Sequence, residues 1–343
     1  MDQVKKEQSG NLKPALILMI MAPLLTEVLP GATRFSALFV LPVEICMWGG
    51  GALLIRYAVR RWKLGWVNML FLALALSIAE ECLIQQTSLA PMVVQIKGVA
   101  YARAFGVNYV YLIWALIYES VFVVFLPVYF VEFILPDRKG ALWINKTGFL
   151  IIIPLFIIGA FLAWYSWTQI ARPAAYHVSA YNPPFLAILI SVIAICVLIF
   201  LATGSIREKY SVAASPIKLP HPVILGILSG LWATLLYGLV LLGFGIDPSF
   251  PSWIPVCSGI ILAVCAMLLL PRWTANAMWN PNHSFALIFG TMLGSMLVSF
   301  LGFIGQPGID LYFKILVDVA AVIMMTMLGV KVRRKLALSR IPE

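Results

Sequence analysis

Charge is what this chain has least of: 24 basic and 14 acidic side chains among 343 residues, or 11%. A soluble domain carries about 25% charged residues, so an ordinary water-soluble globule is excluded. No polar stretch exceeds roughly the length of one membrane span (about twenty residues), so no separate soluble domain is expected. Histidine is nearly missing, with three copies, and no HExxH, GxSxG, Walker A or dinucleotide-binding pattern occurs. No cofactor is therefore identified, and a metal requirement is left open. CxxC is absent too. The five cysteines (Cys46, Cys82, Cys196, Cys257 and Cys265) all fall in apolar segments, which predicts buried packing residues rather than disulfides or zinc ligands. Low-complexity tracts, heptad arrays and fixed-period repeats are also lacking. The polar start, Met1–Lys13, leads to no small-residue cleavage site, so no cleaved signal peptide is expected.

What is abundant is apolar: 62% of the residues, with a mean hydropathy of +0.98. Runs of about 20 apolar residues suffice to cross a bilayer. Ten are found, at 14–30, 35–55, 66–86, 107–135, 147–168, 184–204, 222–245, 253–271, 283–304 and 310–330. The expected fold is all-α: a polytopic transmembrane helix bundle of about ten spans, residues 14–330. A polar N-terminus (1–13) and a basic tail (331–343) flank it. The net charge of +10 belongs to loops rather than to nucleic-acid binding. With the N-terminus inside, inner segments hold nineteen Lys and Arg and outer segments four (Arg34, Lys97, Arg103 and Arg172). That bias predicts cytoplasmic termini. Trp66, Trp143, Trp167, Trp253 and Trp273, near span ends, are expected as interfacial anchors. Two outer loops, 87–106 and 170–183, exceed a turn; the first has the length of an interfacial or re-entrant piece. Gly226/Gly230 and Gly290/Gly294 have GxxxG spacing, expected to pack helices within the chain.

Acids inside spans are costly and mark function. Leu72–Gln86 carries Glu80 and Glu81 side by side, followed by Gln85 and Gln86. Other spans hold Glu44, Glu119 and Asp318. At about 1.5 Å per residue, Glu80 and Glu81 lie roughly 21 Å above Trp66, Glu44 about 14 Å down its span, Glu119 about 18 Å and Asp318 about 12 Å. All five fall on one slab between outer leaflet and midplane. Adjacent α-helical residues point about 100° apart, which predicts that Glu80 and Glu81 cannot both face one partner. Lys314 stands one turn from Asp318 and is expected to neutralise it. Glu132, near Arg138 and Lys139, is expected at the interface. Glu27 and Arg34 bracket the first outer turn and are expected to face headgroups or each other. His283 begins the ninth span at the inner face, some 20 Å from the acids, so a His–Glu metal site is hard to build.

The candidate catalytic residues are thus Glu80, Glu81 and Glu119, supported by Glu44, Gln85, Asp318 and Lys314. Such a cluster suits a general base activating water, a proton relay, or a metal site with oxygen ligands. Glu80–Gln85 reads EExxxQ and resembles the EExxxR element of the CAAX-protease and bacteriocin-processing intramembrane proteases. That resemblance implies Glu80 or Glu81 as the base of a glutamate-dependent hydrolase cleaving a membrane-embedded peptide. Gln85 replaces the family's Arg, Ala115-xxx-Glu119 replaces its FxxxH, and no HxxxN or HxxxD follows, since Ser, Phe, Ala and Leu come after His283. A broader likeness is carried by Ala52–Arg56, Gly65–Trp66, the EExxxQ stretch, Pro127…Glu132…Pro136 and His283–Gly290. These resemble an uncharacterised family of bacterial polytopic membrane proteins, with Glu119 at the position of that family's His. It implies a shared fold and a location in the bacterial inner membrane. The alternatives are a proton- or cation-coupled permease for a small solute, using the same carboxylates, and a structural or sensory membrane subunit.

Overall fold

The computed structural model describes residues 12–91, 101–205, 217–247 and 249–338. Helices dominate them. Nine are long and apolar enough to cross a membrane: α2 (Phe35–Arg61), α3 (Trp66–Ile84), α4 (Tyr109–Ile134), α5 (Lys146–Ala174), α6 (Phe185–Gly204), α7 (Pro222–Ile246), α8 (Trp253–Thr274), α9 (Pro281–Phe303) and α10 (Ile309–Leu338). The tenth expected span is α1, where Leu12–Pro23 and Leu24–Val28 together make seventeen residues, 12 plus 5. At about 1.5 Å per residue it rises about 25 Å, short of a bilayer core. The segment 331–338, expected as tail, continues α10 as helix. Lys5, Lys6, Lys97, Arg207, Lys209 and Arg340, counted above, lie outside the described residues.

The starts follow ordinary capping chemistry. Asn145 accepts from the Gly148 amide at 2.8 Å at the head of α5. Asn280 accepts from the Asn282 amide at 3.0 Å at α9, where Pro281 occupies a position whose N–H has no helical partner anyway. Less ordinary are seven π-helical segments within the helices. Three matter below: Ile45–Gly49 in α2, Ala79–Ile84 in α3 and Ser120–Phe125 in α4. Each is closed by an amide bonded five residues back: Gly50 to Ile45, Gln85 to Glu80 and Leu126 to Val121.

The chain divides into two compact units. The first comprises Met1–Pro23, Val40–Ser211 and Gly238–Ala263. Its core includes Leu18, Met47, Trp48, Leu53, Val123, Val124, Val131 and Trp143. Gly49 brings α2 hard against α1, since a Cβ there would stand 2.2 Å from the Met19 carbonyl oxygen. Most of α5 and α6 presents apolar side chains outward, among them Ile157, Ile158, Phe161, Leu186 and Ile190. Such faces are stable in lipid, not in water. Trp143, expected at the interface, is instead buried, and Cys196 and Cys257 are exposed on lipid-suited faces, not packed inside.

The second unit comprises Leu24–Phe39, Val212–Tyr237 and Val264–Glu343. Here the two GxxxG pairs meet each other. A Cβ on Gly290 would stand 2.1 Å from the Gly226 carbonyl oxygen, and one on Gly294 2.2 Å from that of Gly230. Only glycine lets the backbones of α7 and α9 approach so closely. Arg34 donates to Gln306 at 2.7 Å and lies over the Phe303 ring, while Ser36 is held by Asp310 through its amide and its hydroxyl. Cys265 is exposed.

Candidate functional site

Three glutamates converge in the first unit. Glu80 and Glu81 stand on the π turn of α3, and Glu119 is the residue that leads into the π turn of α4. All three are 5% exposed or less. Glu119 is hydrogen-bonded to both Glu80 and Glu81. Its Oε2 has no hydrogen-bond partner among the described residues. This corrects the expectation that adjacent residues on α3 cannot serve one partner. That expectation assumed α-helical phase, whereas the i→i+5 turn changes the angle between the two side chains, and glutamate is long enough to reach across.

Each glutamate of α3 has a second support. The indole N–H of Trp48, on the π turn of α2, donates to Glu80 Oε2 at 2.7 Å. Ser88 donates its hydroxyl to Glu81 Oε2 at 2.5 Å. Indole nitrogen can only donate, so Glu80 Oε2 accepts there. Glu44, just before the α2 π turn, is buried and within electrostatic reach of Glu80. The hydroxyls of Ser77, about one turn before Glu80 on α3, and Ser120, next to Glu119 on α4, meet at 3.5 Å.

Ser88 is held by a compact polar clasp. After Gln86, in the left-handed region at φ 60°, the chain turns back over α3. Asn108 donates its amide to the Ser88 carbonyl at 2.8 Å and its side chain to the carbonyls of Thr87 and Ala90. Arg103 donates to the carbonyls of Leu89 and Ala90 and to Asn108 Oδ1. These two residues pair across a short ribbon, β1 (Arg103–Ala104) with β2 (Val107–Asn108). Arg172, expected in an outer loop, is buried at the end of α5 and donates to the Pro91 carbonyl at 3.1 Å. Of loop 87–106, residues 92–100 lie outside the described residues.

The remaining sequence candidates fall as follows. Gln85 is half-buried and closes the π turn through its backbone amide, 2.8 Å from the Glu80 carbonyl. Lys314 and Asp318 belong to the second unit, where they form the expected i,i+4 ion pair. Lys314 also donates to the carbonyls of Leu29 at 2.6 Å and Met296 at 3.2 Å. His283, likewise in the second unit, is buried and stacks on Trp279. Among the described residues, no three His, Cys, Asp or Glu side chains form a group that could hold a metal ion.

A second polar centre escaped sequence reasoning. Glu132, expected at the interface, is buried and bonded to two arginines. Arg60 reaches its oxygens at 2.6 and 2.8 Å, and Arg56 reaches Oε1 at 3.2 Å. Arg56, counted above as a loop charge, is 1% exposed. It donates to the carbonyls of Ala141 at 3.1 Å and Lys139 at 3.0 Å and lies over the Trp143 ring. The available signal was the pair of arginines one helical turn apart on an apolar helix, where an unpaired charge is costly.

Fold and composition together define an all-α, multi-pass membrane protein whose environment is a lipid bilayer. No family model, curated protein or solved structure matches the chain.

Proposed function

We propose that the protein takes up and passes on protons at Glu80, Glu81 and Glu119, as the coupling centre of a proton- or cation-coupled permease. The observation that carries this reading is the meeting of three buried carboxyl groups, Glu119 against both Glu80 and Glu81. A contact between two carboxyl groups is a hydrogen bond only when a proton lies between them. Such contacts therefore require at least one proton among the three glutamates and leave the remaining charge to be placed. The donors from Trp48 and Ser88 favour placing that charge on α3. Uptake of a further proton lowers the charge of the centre without any bulky group having to enter. Intramembrane acids in such surroundings are typical of proton pathways.

One observation favours a second reading. Glu119 Oε2 is an unengaged acceptor beside a proton-sharing pair, and two carboxyls that share a proton can activate water for hydrolysis. This is the glutamate-dependent hydrolase that the EExxxQ likeness implies.

The test is charge displacement after a pH jump, recorded from proteoliposomes on a solid-supported membrane. The wild type should give a transient that is abolished in Glu119→Gln and Glu81→Gln, with both variants retaining their melting temperature within a few degrees. A wild type with no transient, or variants that keep it, overturns the proposal. Accumulation of an uncleaved membrane peptide in cells carrying Glu81→Gln would transfer the site to the hydrolase.

A further inference from the structure

The β1–β2 ribbon of the first unit ends in a turn of unusual chemistry. Phe105 and Gly106 both take left-handed backbone, φ 51° and 80°. Such a two-residue turn is filled best by Asn-Gly, because both of its central positions need a positive φ. An aromatic residue in the first of them strains the backbone, and here no packing offsets the strain. Phe105 is wholly exposed, at 104%, and a Cβ on Gly106 would meet nothing within 4 Å among the described residues. The rest of the hairpin is tied down. Tyr101 is buried against α7, where a Cβ on Gly243 would stand 1.9 Å from its ring, and it meets Phe244 edge-on with centroids 5.1 Å apart. Arg103 and the Asn108 side chain donate to carbonyls of the turn 87–90. The tip is thus a fixed projection that presents a phenyl ring.

We infer that Phe105 inserts into the headgroup–acyl boundary of the bilayer, so that the hairpin tip is a lipid-binding surface. Three features select that partner. The tip is continuous with a surface already suited to lipid: Tyr109, the first residue of α4, meets Ser252 through their hydroxyls at 2.5 Å, and beside that contact Trp253, at the head of α8, and Ile246, at the end of α7, are 65% and 63% exposed. The tip also stands at the right level. In the pairing it lies two residues beyond Asn108, about 7 Å of strand. That is close to the depth of one headgroup layer, since a bilayer of about 40–45 Å holds a core of about 30 Å. Last, the tip is apolar throughout. Ala104, Phe105, Gly106 and Val107 carry no polar side chain, and Arg103, the cation of the hairpin, is directed to the carbonyls of Leu89 and Ala90 and to Asn108 Oδ1. The attraction is therefore hydrophobic and indifferent to headgroup charge. This surface does not depend on what the three glutamates do.

The experiment is fluorine NMR of the full-length protein in nanodiscs, with 4-fluorophenylalanine placed at position 105 or, as an aqueous reference, at the exposed Gly140. Two relaxation agents are compared: a nitroxide near the glycerol end of a lipid acyl chain, and a gadolinium chelate in the water. Relative to the chelate, the nitroxide should relax the label at 105 about tenfold more than the label at 140, because burying a phenyl ring favours the inserted state by at least that factor. The ratio should be the same in phosphatidylcholine and in phosphatidylglycerol. A label at 105 that behaves like the one at 140 puts the tip in water and overturns the proposal. One relaxed by neither agent is covered by protein, which overturns it as well, and a ratio that rises with phosphatidylglycerol overturns its hydrophobic basis. Phe105→Asn, which removes the strained aromatic and no contact, should keep or raise the midpoint of unfolding in SDS; a fall would mean that Phe105 supports the fold instead. The label exchanges one ring hydrogen for fluorine, so the reading at 105 does not depend on a variant that fails to fold.

Discussion

Removing Arg56 is the perturbation whose cost can be worked most directly from this structure. The guanidinium makes one charge-assisted bond to Glu132 at 3.2 Å and two good bonds to the carbonyls of Lys139 and Ala141. It also stacks on Trp143, 3.3 Å from the ring centroid. A bond to a charged group contributes about 1.5–3 kcal/mol, each neutral acceptor about 1, and a desolvated cation–π contact about 2. One offset is substantial: Glu132 is not stranded, because Arg60 keeps both of its oxygens. Arg56→Ala should therefore destabilise by about 3–5 kcal/mol, the loss of these bonds and of the ring contact less that offset. Arg56→Lys keeps the charge but loses the fork and the stacking, and should cost about half as much. Arg60→Ala, at a side chain 32% exposed with Arg56 still on the carboxylate, should cost at most about 1 kcal/mol. The assay is unfolding in mixed micelles with increasing SDS fraction, followed by tryptophan fluorescence. The ranking is what tests the reasoning. If Arg56→Ala and Arg60→Ala unfold together, the buried network does not hold this part of the first unit.

Two further substitutions probe other parts of the molecule. Gly290→Ala places a Cβ 2.1 Å from the Gly226 carbonyl and 2.3 Å from Ser229 Oγ, so α7 and α9 must separate; about 1–3 kcal/mol of destabilisation is expected in the same assay, whereas Gly302→Ala, with open space around it, should be neutral. Asn108→Ala removes the donors that hold Thr87 and Ala90, and should raise hydrogen exchange at residues 87–90 by about tenfold or more while leaving α5 unchanged; uniform exchange in the two proteins would mean that the clasp does not order this turn.

Length and hydropathy were enough to read nine of the helices, because a bilayer demands both and nothing local competes. The Lys314–Asp318 pair was legible because i,i+4 spacing is a local property, and the glycine pairs because GxxxG has few uses other than close approach. Depth counting put Glu80, Glu81 and Glu119 on one level, and their side chains do meet. Angular phase misled: it predicted one partner for one glutamate, since no hydrophobic period announces a π turn. The Arg56–Glu132 network was hidden for a different reason. Its partners are 76 residues apart, and a tally of loop charges treats every arginine near a span end as solvated. The short first helix was legible too: the apolar run 14–30 is shorter than a full span, and the helix, Leu12–Pro23 continued by Leu24–Val28, is short as well.

The π turns set a condition on how this chain tolerates change. A turn closed by an i→i+5 bond carries one residue more than an α-helical turn of the same reach. Deleting one residue between Glu81 and Gln85 would let α3 close as ordinary α-helix, with the segments on either side nearly in their former phase but Glu80 and Glu81 returned to α-helical spacing, about 100° apart. Helix α3 would still have the same composition, hydropathy and nearly the same length, so it would still insert. Its glutamates, however, would no longer share a partner. In homologous chains, a single-residue gap at this point would mark a protein that has kept the scaffold and given up the convergence of the three glutamates.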